Sequence, residues 1–302
     1  MKKKCIRFIS LAIFLALAGP AWGSHAAGEC GDTTHNGGDV PCSCGDTVTT
    51  DTVLDSGTDL VVSTVCTCNG LDVADGVELD LGGNTITGSE TCVGVLIEAG
   101  ADIVTIKNGT IEKFATGIGT DPAATCTTPA TCTTGSMITR IKARRNTDTG
   151  ISVVGSNNIL DLNRLQFNGQ SGIVVDGDEN KLIRNQVICT KKFGCESDGI
   201  KVSGDKNTLD RNLSDRNGGD GVSVSGDKNT LNRNLSNRND DDGIFVDGTG
   251  NTLKRNMANF NEGNGVLATG GTILFPNIDG GRNRGKRNGG VQCEIDGTPC
   301  KP

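Results

Sequence analysis

The chain has no tyrosine, one tryptophan and two histidines among 302 residues. Trp22 and His25 both fall in the first 27 residues, so beyond that segment no indole or phenol ring remains and His35 is the only imidazole. Saccharide sites usually stack sugars on such rings, so a cleft lined by indole or phenol rings is excluded. Long apolar runs are also missing. The one run, Phe8 to Ala18, is too short to span a bilayer, and no second follows. Helical periodicity is absent throughout the second half of the chain.

The short run follows Lys2, Lys3, Lys4 and Arg7 and precedes small residues through Ala27, the pattern of a cleaved secretory signal over residues 1–27. Glu29 before Cys30 argues against a lipid-anchored cysteine, so no membrane insertion is expected after cleavage. Loss of the four basic residues takes the formal net charge from −7 to −11. Such an acidic surface disfavours nucleic acid and anionic membranes and suits cations. Thirteen cysteines are present, and Cys5 leaves with the signal. The remaining twelve, an even number in an exported chain, read as disulfides.

From Gly150 the glycine that precedes an apolar pair recurs at Gly172, Gly199, Gly221, Gly243 and Gly265, in steps of 22, 27, 22, 22 and 22. "DGIKVSGDKNTLDRN" from Asp198 returns as "DGVSVSGDKNTLNRN" from Asp220. The long step holds Cys189 and Cys195. A 33-residue step from Gly117 to Gly150 holds Cys126 and Cys132, and Gly70 and Gly94 carry the column upstream. A fixed period with stapled interruptions marks a solenoid that carries loops. Alternation in Ile200 and Val202, Val222 and Val224, Ile244 and Val246 marks a strand at the start of each unit. Leu160, Leu182, Leu209, Leu231 and Leu253 mark a second. Leu165, Val187, Ser214, Ser236 and Ala258 mark a weaker third, since Leu213, Leu235 and Met257 compete with it from one place earlier. The leucine-rich phrase LxxLxLxxN is missing, which leaves an all-β, single-stranded parallel β-helix of about ten coils.

Asparagine recurs in three columns: Asn158, Asn180, Asn207, Asn229 and Asn251; Asn163, Asn185, Asn212, Asn234 and Asn256; Asn168, Asn217, Asn239 and Asn261. Two properties suit it to coil corners, its tolerance of left-handed backbone and an amide that donates and accepts along a stack. Inward amides also make poor glycan acceptors, which sets aside the sequons at Asn212 and Asn234.

"CGDTVTTDTVL" from Cys44, "GLDVADGVELDLGGNTITG" from Gly70, "VTIKNGTIEKFATGI" from Val104 and the later coils resemble secreted bacterial right-handed parallel β-helix proteins. That class includes pectate-lyase-like folds and the periplasmic β-helix protein of copper-enzyme maturation. The resemblance covers roughly Cys44 to Cys300 and implies the fold and a secreted or periplasmic location. The expected organisation is a signal over 1–27, an amino-terminal cap over 28–47, the β-helix over 48–292 and a disulfide-closed tail over 293–302.

Two charged columns are candidate ligand-binding residues: Asp198, Asp220 and Asp242 with Asp240 and Asp241 beside them, and the arginines Arg211, Arg233 and Arg255, preceded by Arg140 and Arg184. A stacked carboxylate column attracts a cation, with Ca²⁺ the one cofactor in view, and arginines can grip an anionic polymer. Lys191 and Lys192, on the Cys189 to Cys195 loop, are expected to overhang the acidic column and complete a cleft with it. The competing reading makes both columns solvated faces copied with the repeat. The polygalacturonase-like set of paired Asp, Gly-His and Arg-x-Lys is not found. The expected function is thus a carbohydrate- or envelope-associated binding module with polysaccharide as partner; the alternative is a lyase or hydrolase of acidic polysaccharide. Catalytic residues and oligomeric state are not specified.

The expected disulfides are Cys126 with Cys132, Cys189 with Cys195 and Cys293 with Cys300. Among the six amino-terminal cysteines, where register allows several pairings, Cys30 with Cys42, Cys44 with Cys66 and Cys68 with Cys92 are preferred. A soft metal on the Cys42/Cys44 and Cys66/Cys68 pairs is the rival reading.

Overall fold

The computed structural model describes residues 28–31, 40–120, 133–189 and 197–300. Each mature coil runs through three short strands, for example Ile200–Ser203, Thr208–Asp210 and Leu213–Asp215, separated by three corners. Each strand pairs in parallel with its counterparts one coil away: Ile200 meets Ile173 and Val222, Leu209 meets Leu182 and Leu231, Ser214 meets Val187 and Ser236. The result is a right-handed parallel β-solenoid of about ten turns of about 23 residues. Register is held across both long steps, with Ile118 beside Ile151 and Ile173 beside Ile200, so the extra residues leave the ladder uninterrupted. On the first face, parallel stacking begins with Glu29–Cys30 and ends with Cys293–Ile295, after which Thr298–Pro299 turns back antiparallel.

The core is a set of side-chain columns. Ile151, Ile173, Ile200, Val222, Ile244 and Val266 line the first face, and Leu160, Leu182, Leu209, Leu231 and Leu253 the second, all fully buried. On the third face the inward column shrinks along the chain, through Ile111, Ala143, Leu165, Val187, Ser214, Ser236 and Ala258 to Gly285. Ser214, Ser236 and Ala258 are the buried residues there, while Leu213 and Leu235 are half-buried and Met257 is 43% exposed. The repeating glycine explains why small residues win. A Cβ on Gly221 would meet the Gly243 carbonyl at 2.7 Å and Ser236 Oγ on the third face, so first-face entry and third face press together. The Ser214 hydroxyl is satisfied in that gap, donating to the Gly221 carbonyl at 2.6 Å and accepting from Asn217 Nδ2 at 2.8 Å.

All three asparagine columns are buried and stacked. Asn212 donates its backbone N–H to Asn234 Oδ1 at 3.0 Å, while its Nδ2 donates to the same oxygen at 3.0 Å and to the Leu182 carbonyl at 2.8 Å. Asn277, Asn283 and Asn288 continue the columns with wider spacing, because the last coil carries extra residues at two corners. One expectation is corrected: the asparagines are not the left-handed residues. The residue before each one is, with φ of 54–57° at Arg184, Arg211, Arg233 and Arg255, 56–58° at Lys206 and Lys228, and 62° and 56° at Arg216 and Arg238. Left-handed backbone costs about 1–2 kcal/mol for a residue with a Cβ. It persists here because the amide bonds on either side of the bend over-determine it.

Cys30–Cys42, Cys44–Cys66, Cys68–Cys92 and Cys293–Cys300 are disulfides with Cα–Cα distances of 5.0–5.4 Å. The amino-terminal thiols are thereby consumed, and the soft-metal reading is overturned. Cys189 is also disulfide-bonded. Cys126, Cys132 and Cys195 lie outside the described residues.

Candidate functional site: the aspartate corner

The corner between the third strand of one coil and the first strand of the next carries the acidic column. After Leu213–Asp215 the left-handed Arg216 and buried Asn217 turn the chain, and Gly218 and Gly219 lead to Asp220. The aspartates form a ladder along the solenoid axis. Asp198 Oδ1 accepts the Asp220 backbone N–H at 2.8 Å, and Asp220 Oδ1 accepts that of Asp242 at 3.0 Å. Asp242 Oδ1 accepts both the backbone and side-chain N–H of Asn264, at 2.5 and 2.8 Å.

Burial dominates the electrostatics. It raises the Asp198 carboxyl above its ordinary range, and it pushes Asp220 up to about 7, reinforced by the charges of Asp198, Asp242 and Asp241. Oxygens of Asp220, Asp241 and Asp242 lie within 4.8 Å of one another, a three-carboxylate donor set of the hard-oxygen type.

A second aspartate ladder, unrecognised in the sequence, shows what the first is for. At the corner between first and second strands, Asp178 Oδ1 accepts from Asp205 N at 2.7 Å, Asp205 Oδ1 from Asp227 N at 2.8 Å and Asp227 Oδ1 from Thr249 N at 2.7 Å. The repeated "SGDKNT" phrase was the signal available for it. There the Thr249 bonds lower the Asp227 carboxyl. The same bonding with opposite shifts identifies the ladder as a coil-building device and burial as what distinguishes the Asp198–Asp242 corner.

The expected cleft takes its basic side from Lys191 and Lys192, which fall outside the described residues. Arg211, Arg233 and Arg255 occupy the corner between second and third strands, so the strands Leu213–Asp215, Leu235–Asn237 and Met257–Asn259 separate them from the acidic column. Arg211 is ion-paired with Asp210 at 2.7 Å. The cations flanking the acidic corner are instead Arg216 and Arg238, paired with Asp215 at 3.3 and 3.2 Å. Asp240 stands beside the corner, outside the Asp220, Asp241 and Asp242 group, with its N–H on the Asn217 carbonyl.

The fold and its corners define a right-handed parallel β-helix protein. Residues 149–298 match the family model described as right handed beta helix region. No curated protein sequence matches the chain. Among solved structures it is similar to a mutant of the periplasmic alginate epimerase AlgG, at 16% identity and a TM-score of 0.52, over 72% of this chain. The match spans 66% of the epimerase chain, just under two thirds of its length. The Dettilon tailspike protein is similar at 15% identity and a TM-score of 0.45, over 79% of this chain and 59% of the tailspike chain. At such identity the likeness is one of fold.

Proposed function

We propose that the chain is an exported β-helix that binds polysaccharide on its outer surface without turning it over, with the Asp220, Asp241 and Asp242 group as a Ca²⁺ site. The observation that carries this reading is the ladder itself. Asp198, Asp220 and Asp242 each spend an oxygen on a coil-to-coil backbone bond, and the arginine column sits at another corner. Disulfides at both ends suit an oxidising compartment, periplasmic or extracellular. The β-helix folds of a periplasmic alginate epimerase and a tailspike support the polysaccharide class by analogy.

A lyase or hydrolase reading draws on one observation, the Asp220 carboxyl near 7 beside two further carboxylates, a poise suited to proton transfer. Co-sedimentation with neutral and acidic polysaccharides, run alongside ultraviolet detection of unsaturated uronate product, separates the two. Binding without product is expected. Product that disappears in Asp220→Asn would replace the binding module with the enzyme. Calorimetry with Ca²⁺ should show one site in the wild type and none in the Asp220→Asn, Asp242→Asn variant.

A further inference from the structure

Charge is distributed very unevenly along the solenoid. Residues 28–106 contain 14 acidic residues and no lysine or arginine, whereas from Lys107 onward 25 basic residues face 22 acidic ones. The basic excess has a focus. Arg282, Arg284, Lys286 and Arg287 follow one another in the last coil with no acidic residue between Asp279 and Glu294.

Several outward cations elsewhere are neutralised. Lys107 pairs with Glu78, Arg144 with Glu112, Arg184 with Asp161, Lys206 with Glu179 and Arg238 with Asp215. The four cations of the last coil are exposed, and among the described residues they make no ion pair. Arg287 lies over the Phe260 ring at 5.4 Å.

Two of the four line a cavity. Arg284 and Lys286 alternate outward on the strand Arg284–Lys286, two residues apart and so on one side of it, with Gly285 turned inward. Together with Met257, Asn259, Gln292 and Pro299 they border a cavity of about 520 Å³ between the third face and the hairpin closed by Cys293–Cys300. The Gln292 wall is held by its own side chain, whose Nε2 donates to the Asn288 and Gly290 carbonyls while Oε1 accepts from Asn288. A cavity of this size with few convergent polar groups is typical of small-ligand sites. Guanidinium and ammonium groups select a carboxylate or sulfate, and Met257 and Pro299 offer apolar surface to the C–H face of a sugar.

We infer that the last coil is a binding cleft for an anionic saccharide, whose carboxylate or sulfate is held by Arg284 and Lys286. The saccharide class rests on the polysaccharide reading above; the anion preference rests on this cleft alone. The acidic first coils repel an anion and the last coil attracts one, so the field steers it toward the carboxyl-terminal end.

The test is calorimetry on the mature chain in EDTA with trigalacturonate, a sulfated oligosaccharide of matched length and neutral maltotriose. At least one anionic probe should bind, the neutral one should not, and the pair of anionic probes reports whether carboxylate or sulfate is preferred. The Arg284→Gln, Lys286→Gln variant should lose affinity by tenfold or more, with Arg284→Ala, Lys286→Ala as a second version and thermal melts as the check on folding. Lys228→Gln, at an exposed cation outside the cleft, should bind as the wild type does. Failure of both anionic probes to bind the wild type, or equal affinity in folded variants, overturns the cleft. Polymer binding that survives in those variants would leave the polysaccharide reading standing and the cleft refuted, whereas short acidic sugars bound without any polymer would do the reverse.

Discussion

At the scale of single residues, the informative contrast is between two aspartate ladders with the same hydrogen bonds. Asp220 holds the Asp242 N–H as Asp227 holds that of Thr249, yet burial raises the Asp220 carboxyl to about 7 whereas the Thr249 bonds lower that of Asp227. Because the folded protein then binds the Asp220 proton more tightly than the unfolded chain, the contribution is fully present below the ordinary value of 3.8 and is lost as pH rises through about 7. Asp220→Asn keeps an acceptor for the Asp242 N–H, and Asn264 already occupies the same column with its Oδ1 on Val291 N. In EDTA the variant should therefore melt about 2–4 °C above the wild type at pH 8, on the order of 1 kcal/mol after allowance for solvent screening. The gap should close toward pH 4. A difference independent of pH would refute the burial argument. The acidic column was legible in the sequence; its burial was not, since that depends on how closely adjacent coils approach.

At the scale of the element, the coil is governed by where backbones touch. The column from Gly150 to Gly265 was legible as a period, and the structure supplies its reason: up to Gly243 each Cβ would fall against the next glycine's carbonyl and the third-face side chain, and on Gly265 it would fall against the Gln292 carbonyl. Gly221→Ala should cost about 3 kcal/mol or more, because Ser236 and Gly243 cannot both retreat. Gly76→Ala is the matched control. Its φ is +71° with nothing within 4 Å, so it should cost only the left-handed penalty of about 1–2 kcal/mol. Equal losses in urea unfolding would show that conformation, not contact, sets the glycine column. The same approach explains the third strand, where alternation could not choose between Leu213 and Ser214: the narrow gap admits the serine and leaves the leucine half-buried.

At the scale of the molecule, stability is quasi-one-dimensional, each coil resting on its neighbours. Three disulfides lie within the first coils, over residues 30–92, and one at the far end. Coils in between rely on buried columns and stacked amides, apart from the disulfide at Cys189. Reduction should accordingly fray the solenoid from its ends. Hydrogen exchange after reduction should quicken in residues 40–100 while amides of Val222–Ser225 and Thr230–Asn232 stay protected; uniform loss of protection would show that the molecule unfolds as one unit. The charge asymmetry belongs to this scale as well, since the acidic first coils and the cationic last coil are far apart along one axis.

The sequence by itself determined the period, the first two strands of each coil and the asparagine columns, because each is a local pattern that stacking merely repeats, whereas the amino-terminal cysteine pairing was chosen among several registers only by the fold. Tertiary structure decided what depends on the third dimension. It placed the arginine column a strand away from the aspartates, gave the left-handed bend to the residue before each asparagine and buried one aspartate ladder more deeply than the other. It also left Arg284 and Lys286 without an ion pair among the described residues, beside a cavity. Each of these outcomes is set by the distance between coils and by water's access to a corner, quantities that a repeat along the chain does not encode.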